Sequence, residues 1–329
     1  MSKVLVTGGA GYIGSHILRR LVDDGHAPLV LDDLSNGHRE ALGAVPLIEG
    51  DFGDPVVLDR ALGDGTIEFV IHMAAFCEVG ASMLEPAEYY RNNLTRSMEL
   101  LDAARRHGVR GIVFSSSAAV YGEPEQLPLD ENHPQNPTNP YGETKLAFER
   151  ALGWYQQAYG LKFVALRYFN AAGAHPDGSI GEDHAPESHL IPRLLLNAMR
   201  GDEAVPIFGD DYPTRDGTCV RDYVHVMDLA QAHVKAIAAM QAGTVSAEAF
   251  NLGNGEGFSV LEVIDAVGAV SGKRPATKRA PRRAGDPASL VAASQRARER
   301  LNWNPEHAEL REIVRTAWEW HSNHPRGYS

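Results

Sequence analysis

The first half of this chain alternates short β-rich runs with helical ones, and that alternation leaves few folds open. Lys3–Thr7 and residues 28–32, 67–72, 111–116 and 162–167 are rich in Val, Ile, Leu or Phe and show little apolar/polar alternation. Strands buried on both faces of a parallel sheet have this pattern, whereas a strand with one wet face would alternate. Residues 13–24, 87–107 and Pro140–Tyr159 lie between them and follow helical spacing. A chain that repeats β then α predicts a doubly wound α/β sheet, because parallel strands need long crossovers and those crossovers are right-handed.

The pattern changes after about residue 171. Gly, Pro, His and acidic residues dominate 171–188, which marks a loop and a boundary. The expected organisation is a dinucleotide-binding lobe over 1–175 and a smaller mixed α/β lobe over 176–329. Part of 222–255 is expected to return and pack on the first lobe. Ser259-Val260-Leu261-Glu262 has the spacing of a capping box and opens a helix running to about Val270.

The formal net charge of −12 excludes a nucleic-acid binder, which needs a basic face. No apolar run reaches the roughly 20 residues that cross a bilayer, so no membrane association is expected. The N-terminus enters Lys3–Thr7 without a signal-like stretch. Cys77 and Cys219 stand outside any CxxC or Cys/His cluster. Two reduced thiols, a cytoplasmic location and no metal are therefore expected.

Thr7-Gly8-Gly9-Ala10-Gly11-Tyr12-Ile13-Gly14 follows the first strand and opens the first helix. Gly8, Gly11 and Gly14 let the chain turn tightly and bring backbone close to a pyrophosphate. The helix N-terminus then offers free amides and the positive end of its dipole. The alternative is a plain structural turn. Asp32 ends the second strand, and a carboxylate there can accept from both ribose hydroxyls of NAD while repelling the extra phosphate of NADP. The cofactor predicted for this Rossmann-type lobe is NAD. Asp33 beside it can serve the turn alone.

Tyr141 and Lys145 form a Y-x-x-x-K, which on a helix places both on one face. An ammonium near a phenol favours the phenolate and lowers its pKa, and a positive nicotinamide pushes the same way. Such a tyrosine can take a proton from a sugar hydroxyl as hydride leaves the same carbon. Ser115-Ser116-Ser117 ends a central strand upstream, where open α/β sheets bind ligands. A serine there can hold the reacting oxygen.

With these features the sequence resembles the extended short-chain dehydrogenase/reductase family, and within it the nucleotide-sugar epimerases. The resemblance spans essentially the whole chain, and the run 211–225 is its most specific segment. It implies an NAD-dependent 4-epimerase acting on a UDP-hexose, interconverting UDP-galactose and UDP-glucose through a 4-keto intermediate, with Tyr141, Lys145 and Ser117 catalytic. It implies cofactor contacts at Gly8, Gly11, Tyr12, Ile13, Gly14, Asp32, Asn36, Asp51, Phe52, Met73, Ala74, Ala75, Cys77, Asn93, Tyr141, Lys145 and Phe169. Substrate contacts are implied at Ser117, Tyr141, Asn170, His189, Leu190, Phe208, Arg221, Arg283 and Asp286. Arg221 and Arg283 would clamp the diphosphate, and Asp286 would take the uridine ribose. Cys77 stands where many members carry lysine, and His189 replaces an asparagine found in some.

Sugar dehydratases on the same scaffold carry an Asp-Glu pair just after the serine strand, and this chain has Ala118-Ala119. The resemblance places Leu290 against the sugar, where tyrosine restricts the site to glucose and galactose and a small residue admits N-acetyl sugars. Leucine leaves a UDP-N-acetylglucosamine or dual-specificity epimerase open. A non-catalytic NAD-binding regulator is the remaining alternative. The resemblance also implies a homodimer joined through the helices at 87–107 and Pro140–Tyr159.

Overall fold

A computed structural model describes residues 1–201, 203–283 and 286–328. Its centre is a seven-stranded sheet of β1 (Lys3–Thr7), β2 (Ala27–Asp32), β3 (Leu47–Glu49), β4 (Phe69–His72), β5 (Gly111–Ser117), β6 (Lys162–Tyr168) and, far later in the chain, β11 (Ala247–Leu252). The order is β11-β6-β5-β4-β1-β2-β3, and every neighbouring pair is parallel. The expected doubly wound α/β sheet is the fold.

Alternate residues of these strands serve the two faces. Val4, Val6, Ile71, Val113 and Val164 pack with Ile17 and Leu21 of α1 (Tyr12–Asp23) and with Leu229 and Ile237 of α8 (Val226–Ala242). Leu5, Val70, Ile112 and Phe114 face the other way, onto α2 (Pro55–Leu62), α5 (Arg96–Arg106) and α6 (Pro140–Tyr159) through Leu58, Leu101 and Phe148. Each such side chain contributes about 1.5–3 kcal/mol by leaving water, which is why the strands read as unbroken apolar runs.

The helical pattern over 87–107 resolves into three pieces. The short helices α3 (Val79–Leu84) and α4 (Pro86–Tyr89) lead into a wide π turn, Tyr90–Thr95, and only then into α5. The extra residue of a π turn rotates what it carries. Here Asn92 and Asn93 are buried in the turn, which an uninterrupted helix would not require.

The second half returns to the first sheet before finishing elsewhere. After β7 (Asn170–Ala172) come α7 (Leu190–Arg200), β8 (Val205–Phe208), β9 (Val220–Arg221) and β10 (Tyr223–His225). Then α8 packs on α1, and β11 pairs with β6. The chain ends with β12 (Phe258–Ser259), α9 (Val260–Ser271), β13 (Thr277–Ala280), β14 (Ser289–Leu290), α10 (Gln295–Leu301) and α11 (Leu310–Asn323). A separate core unites α7, α9 and α11 through Leu194, Ile264 and Ile313. The capping box at the start of α9 is formed: Ser259 Oγ accepts from the Glu262 amide at 3.1 Å, and Glu262 accepts from the Ser259 amide at 2.8 Å.

Candidate active site

The turn between β1 and α1 is a cradle that larger residues would fill. Gly8 has φ +70°, and a Cβ there would stand 2.6 Å from the Ala74 backbone nitrogen. A Cβ on Gly14 would meet the Gly8 carbonyl oxygen at 2.2 Å. Gly11 caps α1 without a side-chain hydrogen bond, so the amides of Tyr12 and Ile13 are left for an anion. Asp32 accepts from the Ala10 amide and the Leu34 amide, both at 2.9 Å, one on each oxygen. Each oxygen keeps a lone pair for a ribose hydroxyl. Burial raises the Asp32 pKa, opposed by those two amides. The uncapped amides, the glycine cradle and this carboxylate fit a dinucleotide.

The other residues expected around the cofactor divide into two groups. Met73, Ala74 and Ala75 leave the end of β4, with the Met73 and Ala74 amides tied to the Thr7 carbonyl at 3.0 and 3.1 Å. Phe52 is buried behind Asp51, which caps the Gly53 amide and pairs with Arg96 at 3.0 Å. Asn36 lies exposed in the loop after β2, and Phe169 follows β6 directly, half-buried. Asn93 is different. Its amide accepts from the Phe76 backbone N–H at 2.8 Å and donates to the Phe76 carbonyl at 2.9 Å. It clamps the 73–77 strip as a strand neighbour would, so its primary bonds go to the protein rather than outward. Cys77 opens onto the cleft beyond it, but the surrounding chain crowds it and desolvation holds its thiol up at about 11.

Tyr141 and Lys145 come from the first turns of α6. Asn139 caps this helix by accepting from the Gly142 amide at 2.9 Å, and Pro140 occupies its first position. Ser117 ends β5 and caps the short turn at Ala118–Val120 by accepting from the Ala119 amide at 3.1 Å, and its hydroxyl acts to lower the Tyr141 pKa. Lys145 donates to the Ser115 carbonyl at 2.7 Å, and its ammonium lies 5.8 Å from the Tyr141 ring centroid. No carboxylate stands in the Ala118–Val120 turn.

The electrostatics differ from the sequence expectation. Burial raises the Tyr141 phenol well above its ordinary value, with Cys77 adding to the rise. Lys145 does not offset this, and burial lowers its own pKa to about 8. Desolvation disfavours both charged forms. The side chains of the protein alone therefore disfavour the Tyr141 phenolate.

A buried network that sequence reasoning missed stands behind these groups. Glu149, two turns beyond Tyr141 on α6, accepts from Ser116 of β5 at 2.5 Å and from Arg167 of β6 through a fork at 2.9 and 2.5 Å. Both side chains of that ion pair are more than nine-tenths buried. Arg167 also donates to Tyr121 at 2.9 Å, and Tyr121 donates to Asn251 of β11 at 2.6 Å. Ser115 meets Tyr168 through a hydrogen bond. Glu149 follows Lys145 by four residues, so its helical spacing was the available signal.

The substrate-side residues sit on short strands. Arg221 of β9 pairs with Asp286 and donates to the Val220 carbonyl at 2.8 Å. Leu290 of β14 is directly opposite Arg221 in register and packs with the cluster of Ala118, Tyr121 and Leu146. The Arg283 guanidinium lies 3.9 Å from the Phe208 ring centroid, a stacked cation–π geometry. Four other basic residues of 273–282 pair with surface carboxylates: Arg274 with Asp265, Lys278 with Glu203, Arg279 with Asp210 and Arg282 with Asp211. Asn170 is exposed on β7, and Leu190 opens α7. His189 precedes it and bonds Glu182 at 2.5 Å. The cleft of about 530 Å³ under Ser289 and Val291, the neighbours of Leu290 on β14, contains none of the catalytic residues.

A Rossmann sheet, a glycine cradle and a Ser–Tyr–Lys set at the end of β5 define a short-chain dehydrogenase/reductase type of site. The chain matches the NAD dependent epimerase/dehydratase family over residues 4–253 and belongs to it. It is similar to a UDP-glucose 4-epimerase of Halalkalibacterium halodurans, 53% identical over 326 residues, covering 99% of this chain and 97% of that one. Among solved structures it is similar to a UDP-glucose 4-epimerase from Brucella ovis in complex with NAD, with TM-score 0.94, 46% identity and coverage of 97% and 98%. It is similar also to the enzyme from Bifidobacterium longum in complex with NAD+ and UDP, with TM-score 0.94, 37% identity and coverage of 99% and 100%.

Proposed function

We propose that this chain is an NAD-dependent UDP-glucose 4-epimerase. The observation that carries the proposal is the grouping of Tyr141 and Lys145, on the first turns of α6, with Ser117 at the carboxyl end of β5, where the Lys145 ammonium lies 5.8 Å from the Tyr141 ring centroid and donates to the Ser115 carbonyl at 2.7 Å, beside the glycine cradle. The dinucleotide supplies, when bound, a reversible hydride acceptor for C4 of the sugar and a positive charge that favours the phenolate. Gly8, Gly11, Gly14 and the amides opening α1 would hold its pyrophosphate, and Asp32 its ribose. The remaining site residues of this account act as follows.

Tyr141, as the phenolate that the bound dinucleotide's positive charge would favour, takes the proton of the 4-hydroxyl and later returns it, and Ser117 fixes the oxygen between them. Lys145, tethered to the Ser115 carbonyl, holds its charge beside the phenol. Arg221 and Arg283 bind the diphosphate and anchor it while the 4-keto sugar turns its other face. Asp286, freed from Arg221 or shared with it, accepts from the uridine ribose. Because hydride leaves and returns, the reaction is redox-neutral and the dinucleotide stays bound.

The substrate lobe begins near residue 176, while β11 and α8 belong with the first sheet. A second copy of the chain joins through residues 87–107 and α6, where Tyr90, Trp154 and Tyr159 are exposed. Two unpaired thiols suit a reducing compartment, the cytoplasm; no helix among the described residues is long and apolar enough to cross a membrane.

The test is conversion of UDP-galactose by the purified chain with no dinucleotide added. The account expects UDP-glucose to form to equilibrium. No turnover of any UDP-hexose by a chain that carries bound NAD would overturn it.

A further inference from the structure

Between β7 and α7 the chain reads Glu182-Asp183-His184-Ala185-Pro186-Glu187-Ser188-His189. The fold gathers four of these side chains onto one point. Glu182, His184, Glu187 and His189 each offer a ligand atom, and the four atoms lie within 4.8 Å of one another. Both histidines turn Nδ1 inward. His184 Nδ1 stands 3.3 Å from Glu182 and 3.6 Å from Glu187, and His189 Nδ1 stands 3.6 Å from Glu187 and 2.5 Å from Glu182. A tetrahedral ion with arms of about 2.0–2.2 Å needs ligand–ligand edges of about 3.3–3.6 Å. The His184–Glu182 separation already has that length, and Glu187 turns one oxygen to each histidine at the upper end of that range, Oε2 to His184 and Oε1 to His189.

A second observation points into the same place. His321 of α11 is 5% exposed, its Nε2 has no hydrogen-bond partner, and it lines the same small cavity as Glu182, His184 and Glu187. A buried imidazole nitrogen left unpaired is costly, and His321 shares the wall of this cavity with Glu182, His184 and Glu187, alongside Arg200, His324 and Arg326. The segment is also held rigidly from outside. Trp320 of α11 donates to the Glu182 carbonyl at 3.0 Å, Tyr12 of α1 donates to the Gly173 carbonyl at 2.6 Å, and Ser188 donates to Glu78 at 2.7 Å. The ligands are thus fixed to both lobes before any ion arrives.

We propose that Glu182, His184, Glu187 and His189 form a binding site for a divalent transition-metal ion of the zinc class. Two imidazoles and two carboxylates are borderline donors, which suits Zn²⁺, Co²⁺ or Mn²⁺ better than the all-oxygen shells of Ca²⁺ or Mg²⁺. Two of the carboxylates' negative charges are cancelled there in one step. The ion ties the two ends of the segment from Glu182 to His189 to each other, just before Leu190 opens α7. The site is separate from hydride chemistry, so its failure would leave the epimerase proposal untouched.

The test uses the full-length chain, purified with its dinucleotide, dialysed against chelator and then titrated with Zn²⁺ or Co²⁺. The account expects about one ion per chain, retained through buffer exchange, and a Co²⁺ absorption spectrum of tetrahedral type with nitrogen ligands. His184→Asn and Glu187→Gln should each weaken binding by more than about a hundredfold, beyond what loss of an outer-shell partner costs. His107→Asn, a surface histidine paired with Asp59, should bind as the unaltered chain does. Failure of the unaltered chain to retain stoichiometric metal would overturn the site, as would a six-coordinate cobalt spectrum. Unchanged binding in His184→Asn and Glu187→Gln would do the same. The cobalt spectrum needs no variant, so the test stands even if a substitution prevents folding.

Discussion

Tyr141, Lys145 and Ser117 stand on a helix of 20 residues and a strand of seven, whereas Arg221 and Leu290 stand on strands of two. The proton-handling side is braced from behind by the Glu149–Arg167 fork and by bonds from Lys145 to Ser115 and from Asn139 to the helix start. The substrate side is braced by the substrate residues themselves, through the pairing of Arg221 with Asp286 and the stacking of Arg283 on Phe208. The first arrangement holds geometry to a fraction of an ångström, as proton transfer demands. The second exchanges internal partners for ligand, which a site must do if it releases its product and tolerates a rotating intermediate.

This contrast can be broken by substitution. Tyr141→Phe removes the proton carrier and keeps the ring, so kcat should fall by about 10²–10⁴-fold with bound dinucleotide and folding unchanged. A fall of less than tenfold in initial-rate assays would mean that another group moves the proton. Next, Glu149→Gln leaves Arg167 charged and buried, which should cost about 3–5 kcal/mol in urea unfolding. If unfolding is unmoved, the fork is not the brace described.

Smaller effects are expected on the substrate side. Arg221→Gln should raise KM for UDP-galactose by about 10- to 100-fold with little change in kcat, since it loses charged hydrogen bonds worth about 1.5–3 kcal/mol. The exposed Arg283→Gln should cost about tenfold or less, because solvent screens it. Equal losses from both arginines would erase the distinction between the buried and the open clamp. The smallest effect is one of selectivity. Leu290→Tyr fills the space beside Ala118 and Leu146, and should lower turnover of UDP-N-acetylgalactosamine relative to UDP-galactose by about tenfold. Full N-acetyl activity in Leu290→Tyr would show that this residue does not line the sugar.

What could be read from the sequence follows the same division. The cradle at Gly8–Gly14 and the Tyr141/Lys145 pair are local, set by turn chemistry and by helical spacing of four, so their geometry is contained in a few consecutive letters. The parallel sheet was legible because its strands are apolar on both faces. Two things were not local. Residues 87–107 have helical periodicity throughout, yet a π turn interrupts them so that Asn93 can clamp Phe76, and only the tertiary contact reveals why. Arg221 meets Leu290, and Phe208 meets the stretch leading to Arg283, by pairing of short strands far apart in sequence, and these residues were named only through family resemblance.

The sign of the Tyr141 shift was also out of reach. Y-x-x-x-K shows that an ammonium lies near the phenol, but not that both lie deep enough for desolvation to outweigh their attraction. The cluster at Glu182, His184, Glu187 and His189 lies in a loop without helical or strand periodicity, so its letters do not show that the four side chains converge.

The central claim is that hydride leaves C4 and returns to it within one bound complex, with Tyr141 moving the proton. The direct measurement is turnover of UDP-galactose carrying deuterium at C4, in ordinary water and without added dinucleotide, followed by mass and proton spectra of the product. The account predicts UDP-glucose with the deuterium still at C4. Loss of the label to solvent, or a requirement for added dinucleotide in a chain that already holds NAD, would contradict it.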